Sequence, residues 1–152
     1  VVSEDGHSRA NPSEAGWVLQ MLDSLLEGGD ISTTDIGIIS PYNGQVRAIH
    51  DLLESSGGME KDGRWNGIEV RSVDGYQGRE KEVIILSAVR SNPDGNVGFL
   101  DDSRRLNVAL TRAKRGLIVI GDPKTLRNQR DWDFWLTWVE EKNLIGWHLL
   151  QM

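Results

Sequence analysis

Two strongly apolar runs limit what this chain can fold into. They read VIILSAV at positions 83–89 and GLIVI at positions 116–120. A strand that is apolar at every position is typical of a parallel sheet that is covered by helices on both faces. A third run, IGII at 36–39, has the same character. Together the runs predict an α/β domain with a mostly parallel sheet, in which 83–89 and 116–120 are central strands.

Helical patterns alternate with the apolar runs. A capping asparagine and a proline open a one-sided apolar stripe that begins at Asn11 and ends at Gly28. Further helices are predicted over 42–53 and 101–113. A fourth covers the aromatic stretch 132–139, whose tryptophans either join the core or pack against a neighbouring domain. The alternation is that of βα units in a single domain of 152 residues.

Composition narrows the class of protein. An apolar fraction of 38% with 26% charged residues is typical of a globular domain, and no apolar run approaches the ~20 residues of a membrane span. The absence of cysteine excludes disulfides and thiolate metal sites, and we expect an intracellular protein, cytoplasmic or nuclear. The net charge of −6 lowers the expectation of non-specific nucleic-acid binding, although 104–115 holds five basic residues and no acidic one.

Two dense polar clusters lie beside the apolar runs. SVDGYQGRE at 72–80 follows a short predicted strand at 68–70, and RRLNVALTR at 104–112 precedes the GLIVI run. Ligands of open α/β sheets bind beyond the carboxyl ends of the strands. We expect three loops at that edge, at 40–45, 72–80 and 92–101.

The side chains of these clusters suit a nucleotide. Arg105 and Arg112 lie seven positions apart and share a helix face, and a guanidinium can hold two anionic oxygens at once. Gln77 and Glu80 can accept hydrogen bonds from a sugar hydroxyl. The simpler alternatives are a solvated basic helix and a polar turn. From spacing alone, the functional and the structural interpretation of the arginines are equally supported.

The motifs that would hold a nucleotide within this chain are absent. The sequence contains no GxxxxGK(S/T) loop, no pair of carboxylates at a strand end for Mg²⁺, and no serine or cysteine nucleophile with a histidine partner. The free N–H groups of the helix that follows Ser40–Tyr42 are by themselves a weak signal for a phosphate site. The chain has parts that reach across to a nucleotide but not those that hold one.

At these motifs the chain resembles the second RecA-like domain of superfamily 1B helicases of the DNA2/NAM7-like group, the Upf-one, senataxin and Smubp type. Residues 38–45 resemble motif IV, 72–80 with the following strand resemble motif V, and 104–113 resemble motif VI. The lead-in helix at 11–15 also matches, so the resemblance covers nearly the whole chain. It implies a RecA-like three-layer sandwich, with 1–152 forming a single C-terminal RecA-like domain of a longer protein.

The resemblance assigns roles to the residues at matching positions. Arg112 is implied to be the catalytic arginine finger that meets the γ-phosphate of ATP held by the first domain. The residues implied in ATP binding are Gln77, Gly78, Glu80 and Arg105. Those implied in nucleic-acid binding are Ser72, Pro41, Tyr42 and Asn107. No residue is implied to bind a metal.

The resemblance also implies an activity, that of an ATP-dependent helicase moving 5′ to 3′ on single-stranded RNA or DNA. Its cofactors would be ATP and Mg²⁺, held mainly by a first RecA-like domain that this chain lacks, so the chain alone is expected to be inactive. Its partners would be the single strand and that N-terminal domain, with no membrane. The alternative is a non-catalytic RecA-like module that binds nucleic acid or serves as a scaffold.

Overall fold

A parallel sheet of four strands lies at the centre of the fold. The computed structural model describes residues 10–89 and 103–142. The strands are β1 (Ile36–Ser40), β2 (Glu69–Ser72), β3 (Lys81–Ser87) and β4 (Ala113–Ile120), in the spatial order β2-β1-β3-β4. All three neighbouring pairs are parallel, which confirms the predicted parallel sheet.

Helices connect and cover these strands. They are α1 (Pro12–Glu27), α2 (Asn43–Ser55), α3 (Ser103–Thr111), α4 (Pro123–Leu126) and α5 (Arg130–Glu141), with 3₁₀ turns at Thr33–Asp35 and Asp74–Tyr76. α1 begins as predicted, since the Asn11 side chain accepts the Glu14 N–H at 3.1 Å. The helix predicted over 101–113 ends earlier, because Ala113 already pairs with Lys81 in the sheet.

Two apolar clusters pack against opposite faces of the sheet. On one face, α1 and α2 cover strand residues that include Ile38 and Ile85. On the other face, the Asp74–Tyr76 turn, α3 and α5 cover residues that include Ile39 and Ile84. Successive strand residues point to opposite faces, so each central strand contributes to both clusters. The result is the predicted three-layer α/β sandwich.

One strand differs from its predicted position. β3 lies between β1 and β4 and is buried from Val83 to Ser87, as VIILSAV predicts. The sequence also predicts a central place for GLIVI, but β4 borders the sheet formed by the described residues. Lys114 and Arg115 in its first half are exposed, and burial is complete only towards Ile120. The predicted loop at 92–101 lies outside the described residues.

The aromatic stretch 132–139 is helical in α5, and only some of its large apolar side chains join the core. Trp132 and Leu136 are buried in the core, whereas Phe134 is 80% exposed and Trp138 is 47% exposed. One face of α5 therefore belongs to the core and the other presents aromatic surface.

The two helical crossover connections lead towards opposite ends of the sheet. β1 leads through α2 to β2 on one side, and β3 leads through α3 to β4 on the other side. α2 and α3 lie on opposite faces. The winding therefore changes direction between β1 and β3, and in open α/β sheets this switch point at the carboxyl ends is the usual place of a ligand crevice.

Candidate functional site at the two edges of the sheet

The predicted site residues are divided between the two edges of the sheet. At the carboxyl edge, Ser40 at the end of β1 lies opposite Ser72 at the end of β2. At the amino edge, Lys81 at the start of β3 lies opposite Ala113 at the start of β4. The seven residues of β3 separate the edges by about 20 Å.

The segment 72–80 joins these edges, which corrects the expectation that all of it lies at the carboxyl edge. It leaves β2 at Ser72 and crosses the sheet face through the buried Tyr76 before it reaches Lys81. The crossing is required because β2 and β3 are both parallel to β1, so each must start at the amino edge. The Tyr76 hydroxyl donates to Glu69 O at 2.8 Å, and burial raises the pKa of Tyr76 well above its ordinary value.

At the amino edge the structure brings Arg112 close to Glu80. The Arg112 carbonyl accepts the Lys81 N–H at 3.2 Å, so both residues flank the first pair of β3 and β4. Glu80 is exposed and Arg112 is half-buried. Arg112 Nη2 donates to Thr111 Oγ1 at 3.2 Å, while its buried Nε has no hydrogen-bond partner within the described ranges.

A carboxylate that sequence reasoning missed orders the turn before Glu80. Glu69 Oε2 lies 3.3 Å from Arg71 Nε and 3.6 Å from Arg79 Nη1, and its Oε1 lies 3.6 Å from Lys81 Nζ. The turn itself contains Gly78 at φ +75, a conformation that favours glycine. Three basic side chains around one carboxylate would have indicated an ordered ionic cluster. These residues are not adjacent in the sequence, and they come together only because the segment crosses the sheet.

Gln77 lies in the same turn and is exposed. Gln77, Gly78 and Glu80, three of the four residues predicted to bind ATP, therefore lie in the part of segment 72–80 that leads to the amino edge, where Arg112 is also found.

Arg105, the fourth predicted ATP contact, is not brought to this group. Its Nη2 lies 3.3 Å from Asp74 Oδ2, two residues beyond Ser72. The sequence predicts that Arg105 and Arg112 share a helix face, but α3 ends at Thr111, so Arg112 lies beyond the helix that carries Arg105. Arg105 therefore ties α3 to the strand side of segment 72–80, and Asn107 is exposed on the same helix.

The predicted nucleic-acid contacts at the carboxyl edge are only partly exposed. Ser72 is half-buried, and its Oγ accepts the Gly75 N–H at 3.2 Å. Pro41 and Tyr42 are buried, with Tyr42 7% exposed. In this conformation the two side chains offer little surface to a nucleic-acid strand, and their contribution to the edge is to its packing.

A buried polar network fills the crevice between the ends of β1 and β3. Glu14, Gln45 and Ser87 have no exposed surface. Glu14 Oε1 accepts from Ser87 Oγ at 2.6 Å and from Val89 N at 2.8 Å, and Gln45 Nε2 donates to Ser87 Oγ at 3.1 Å. Burial raises the pKa of Glu14 to about 7.

In the sequence, Glu14 lies in the first turn of a predicted helix, where an acid is favoured by the positive end of the helix dipole. It lies four positions before Val18 and eight before Leu22, both fully buried. That spacing places an acid on the apolar stripe of α1, which is the signal that would have identified a buried carboxylate.

Other kinds of site have no support in the described part of the chain. Residues 10–89 and 103–142 contain no group of three or more acidic, histidine or cysteine side chains that could hold a metal ion. None of the helices described there is long and apolar enough to cross a membrane.

Known proteins are similar to this chain over most of its length. Residues 2–124 match a family model described as an AAA domain. A regulator of nonsense transcripts 1 homolog from Neurospora crassa is 42% identical over 144 residues, covering 95% of this chain and 13% of the relative. The ATP-dependent helicase upf1 of Schizosaccharomyces pombe is 42% identical over 144 residues, covering 95% and 15%.

The DNA-binding protein SMUBP-2 of Mesocricetus auratus is 46% identical over 125 residues, covering 82% of this chain and 12% of the relative. The chain therefore spans between 12% and 15% of the length of these three relatives.

Proposed function

Because the chain belongs to the Upf1-like group of superfamily 1B helicases, we propose that it is the second, C-terminal RecA-like domain of a longer ATP-dependent helicase. In this role it supplies an arginine finger to ATP and part of the path of a single strand of RNA or DNA. The longer protein, here called the parent, moves 5′ to 3′ along the strand. An intracellular location, cytoplasmic or nuclear, is part of the same proposal.

The position of Arg112 carries the proposal. It lies beside Glu80 at the amino edge, with a buried Nε that has no hydrogen-bond partner among the described residues. A nucleotide bound to the carboxyl edge of this domain would be about 20 Å away. The crevice at that edge is filled by the side chains of Glu14 and Gln45. A nucleotide that meets Arg112 must therefore be held by another domain that faces the amino edge.

The chemistry expected of Arg112 is electrostatic. A guanidinium placed at the γ-phosphate stabilises the charge on the transferring phosphoryl group and contributes about 10³-fold or more to the rate. Glu80 next to it is suited to accept a hydrogen bond from the ribose. The domain then completes a site that it does not bind by itself, so the chain alone does not hydrolyse ATP.

Mg²⁺ does not fit the described residues, because they contain no cluster of oxygen ligands for it. We assign the binding of ATP and Mg²⁺ mainly to the N-terminal RecA-like domain of the parent. The role of the present domain is confined to Arg112, Glu80 and the turn that contains Gln77 and Gly78.

Two connections link the nucleotide edge to the strand edge. Segment 72–80 begins at Ser72 and ends beside Arg112, and α3 carries Arg105 near one edge and leads to Arg112 at the other. The Arg105–Asp74 ion pair joins these connections. Closure of two domains on ATP would in this way displace Ser72 and Asn107 together with any strand bound to them.

A nucleic-acid-stimulated ATPase assay on the parent tests the proposal. Replacing Arg112 by alanine should leave most of the affinity for a fluorescent ADP analogue and reduce hydrolysis by about 10³-fold. Single-stranded RNA and DNA of matched length are compared in the same assay, since a contact to the 2′-hydroxyl would separate them.

Arg47→Ala is the matched control, because Arg47 is an exposed arginine on α2, on the opposite face of the sheet. It should retain the turnover of the unaltered parent. Normal turnover in Arg112→Ala would refute the finger. An unaltered parent that binds either strand but never hydrolyses ATP would favour the non-catalytic module.

A further inference from the structure

We propose that Glu14 is a positioning residue for the carboxyl edge, where its carboxylate fixes the end of β3 and the turn between β1 and α2 for single-strand binding. This inference rests on the proposed function, which expects the strand at that edge. Glu14 has no exposed surface and makes no contact with the residues expected to meet ATP, so neither solvation nor catalysis accounts for it.

The hydrogen bonds that reach Glu14 have one consistent direction. Gln45 Oε1 accepts the Asn11 N–H at 2.7 Å, so its Nε2 is the atom that donates to Asn11 O and to Ser87 Oγ, both at 3.1 Å. Because the Ser87 hydroxyl accepts from Gln45, its own proton is directed to Glu14 Oε1 at 2.6 Å. Glu14 is the final acceptor of a chain that starts in the first turn of α2.

The same carboxylate oxygen holds the backbone beyond β3. Val89 has φ +72, a left-handed conformation that β-branched residues rarely adopt. Its N–H donates to Glu14 Oε1 at 2.8 Å, and its carbonyl accepts from Asn11 Nδ2 at 3.4 Å. A strained residue persists where its surroundings hold it, and such residues concentrate at functional sites.

The location of the network connects it to the proposed strand path. It occupies the switch point between the ends of β1 and β3, where comparable sheets hold a ligand. Gln45 lies in the first turn of α2, directly after Pro41–Tyr42, and β1 ends opposite Ser72. A crevice filled by the protein's own groups cannot take a ligand, but it sets the geometry of the edge around it.

The charge state of Glu14 sets the strength of the hydrogen bonds that hold the carboxyl edge. Burial raises the pKa of Glu14 to about 7, the hydrogen bonds from Ser87 and Val89 oppose that rise, and the charge of Asp122 after β4 adds to it. Within the described residues, α2 and β3 present the uncharged Gln45 and Ser87 to the carboxylate. An ionised acceptor forms hydrogen bonds about twice as strong as a neutral one. Ionising the buried carboxylate lowers the stability of the whole fold, but within the folded chain the donors bound to it are held more firmly above pH 7.

The test measures single-strand binding by the parent as a function of pH. Fluorescence anisotropy of labelled oligouridylate and oligothymidylate is recorded between about pH 5.5 and about pH 8.5, a range centred on the raised pKa. The affinity of the unaltered parent should rise about fivefold through pH 7, relative to Glu14→Gln. Glu14→Gln carries no charge at any pH and should stay near the low-pH affinity of the unaltered parent.

Two further variants separate positioning from general stability. Glu27→Gln makes the same change at an exposed position of α1 and should keep the pH profile of the unaltered parent. Ser87→Ala removes one of the donors to Glu14, which also accepts from Val89 N at 2.8 Å and from Asn11 Nδ2 at 3.5 Å. The variant should reduce the rise in affinity without abolishing it. Melting temperatures recorded at each pH identify any variant that has lost its fold.

The outcomes distinguish this inference from the function on which it rests. A parent that binds no single strand at any pH removes the proposed function and the inference with it. A parent that binds while Glu14→Gln keeps the wild-type pH profile overturns the inference alone. An affinity that falls with pH, relative to Glu14→Gln, overturns it as well.

Discussion

The two edges of the sheet use polar side chains in opposite ways. At the carboxyl edge, Glu14, Gln45 and Ser87 are fully buried and satisfy one another. At the amino edge, Glu80 is exposed and Arg112 keeps a buried Nε without a hydrogen-bond partner in the described residues. The polar groups of the first edge are satisfied within the described residues, whereas the second edge keeps a buried donor with no hydrogen-bond partner among them.

Under the proposed function the two edges would contact two different ligands. The carboxyl edge, whose buried polar groups satisfy one another, would contact the single strand, and the amino edge would contact a nucleotide held by another domain. Segment 72–80 and helix α3 would couple the two edges, since each extends from one to the other.

The largest expected effect distinguishes the edges by activity. Arg112→Lys keeps the charge but loses the planar fork, so we expect ATP turnover by the parent to fall at least about 10²-fold while single-strand affinity is kept. Ser72→Ala at the opposite edge should weaken single-strand binding and keep turnover at saturating strand. Turnover and strand affinity are measured for both variants, and parallel losses in both quantities would erase the distinction.

The second prediction concerns what Glu14 contributes to the stability of the whole folded chain. The pKa of Glu14 is raised from 4.5 to about 7, so between these values the folded chain holds a proton that the unfolded chain has released. The free energy of unfolding should therefore be highest below pH 4.5 as far as this group is concerned and should fall by about 2–3 kcal/mol as pH rises to 7. The contribution becomes constant only about one pH unit higher, where Glu14 is almost fully ionised in the folded chain.

Urea unfolding of the unaltered chain and of Glu14→Gln at about pH 5 and about pH 8 isolates this contribution. The free energy of the variant should lack the Glu14 part of the pH dependence. Equal pH dependence in both proteins would mean that Glu14 titrates as it does in water and that the carboxyl edge is not the closed network described above.

The third prediction concerns the crossing that joins the edges. A Cβ at Gly37 would collide with the Tyr76 hydroxyl and lie 2.9 Å from Ile84 Cδ1. Gly37→Ala should therefore lower the free energy of unfolding by about 1–2 kcal/mol, because Tyr76 must leave its place in segment 72–80. Gly16→Ala is the control, since a Cβ there meets nothing within 4 Å and alanine favours the helix. If Gly37→Ala were neutral, the crossing would be looser than its buried tyrosine indicates.

The smallest expected effect concerns the turn beside Arg112. Glu69 is about one-third exposed, and its three ion pairs are each worth below about 1 kcal/mol at such a position. Glu69→Gln should raise the KM of the parent for ATP about twofold to fivefold, with kcat and single-strand affinity nearly constant. A change in strand affinity instead of KM would assign this carboxylate to the other edge.

Much of the fold could be read from short-range patterns. The apolar run VIILSAV predicted β3 as a covered central strand, and the Asn11–Glu14 cap predicted the start of α1. Both are properties of neighbouring residues, since burial on two faces needs a continuous apolar run and a cap needs an acceptor at a fixed spacing. The same patterns could not tell the bordering position of β4 from a central one, because GLIVI is apolar in either case.

The residue types of the site were equally accessible, but their distribution was not. The sequence identified Arg112, Glu80, Gln77 and Ser72 from two polar clusters, yet it placed all of segment 72–80 at one edge. Contacts between distant residues, such as Arg105 with Asp74 or Glu14 with Ser87, depend on how the strands are ordered. Strand order is a matter of long-range pairing, which no local pattern encodes.

The sequence by itself determined the alternation of buried strands and helices, the residues able to meet a nucleotide, and the absence of a phosphate-binding loop. Only the tertiary structure decided that Arg112 and Ser72 lie at opposite edges and that Glu14 is buried between the ends of β1 and β3. The physical reason is that every strand of a parallel sheet starts at the same edge. The chain must therefore cross the sheet between successive strands, and segment 72–80 extends from one edge to the other.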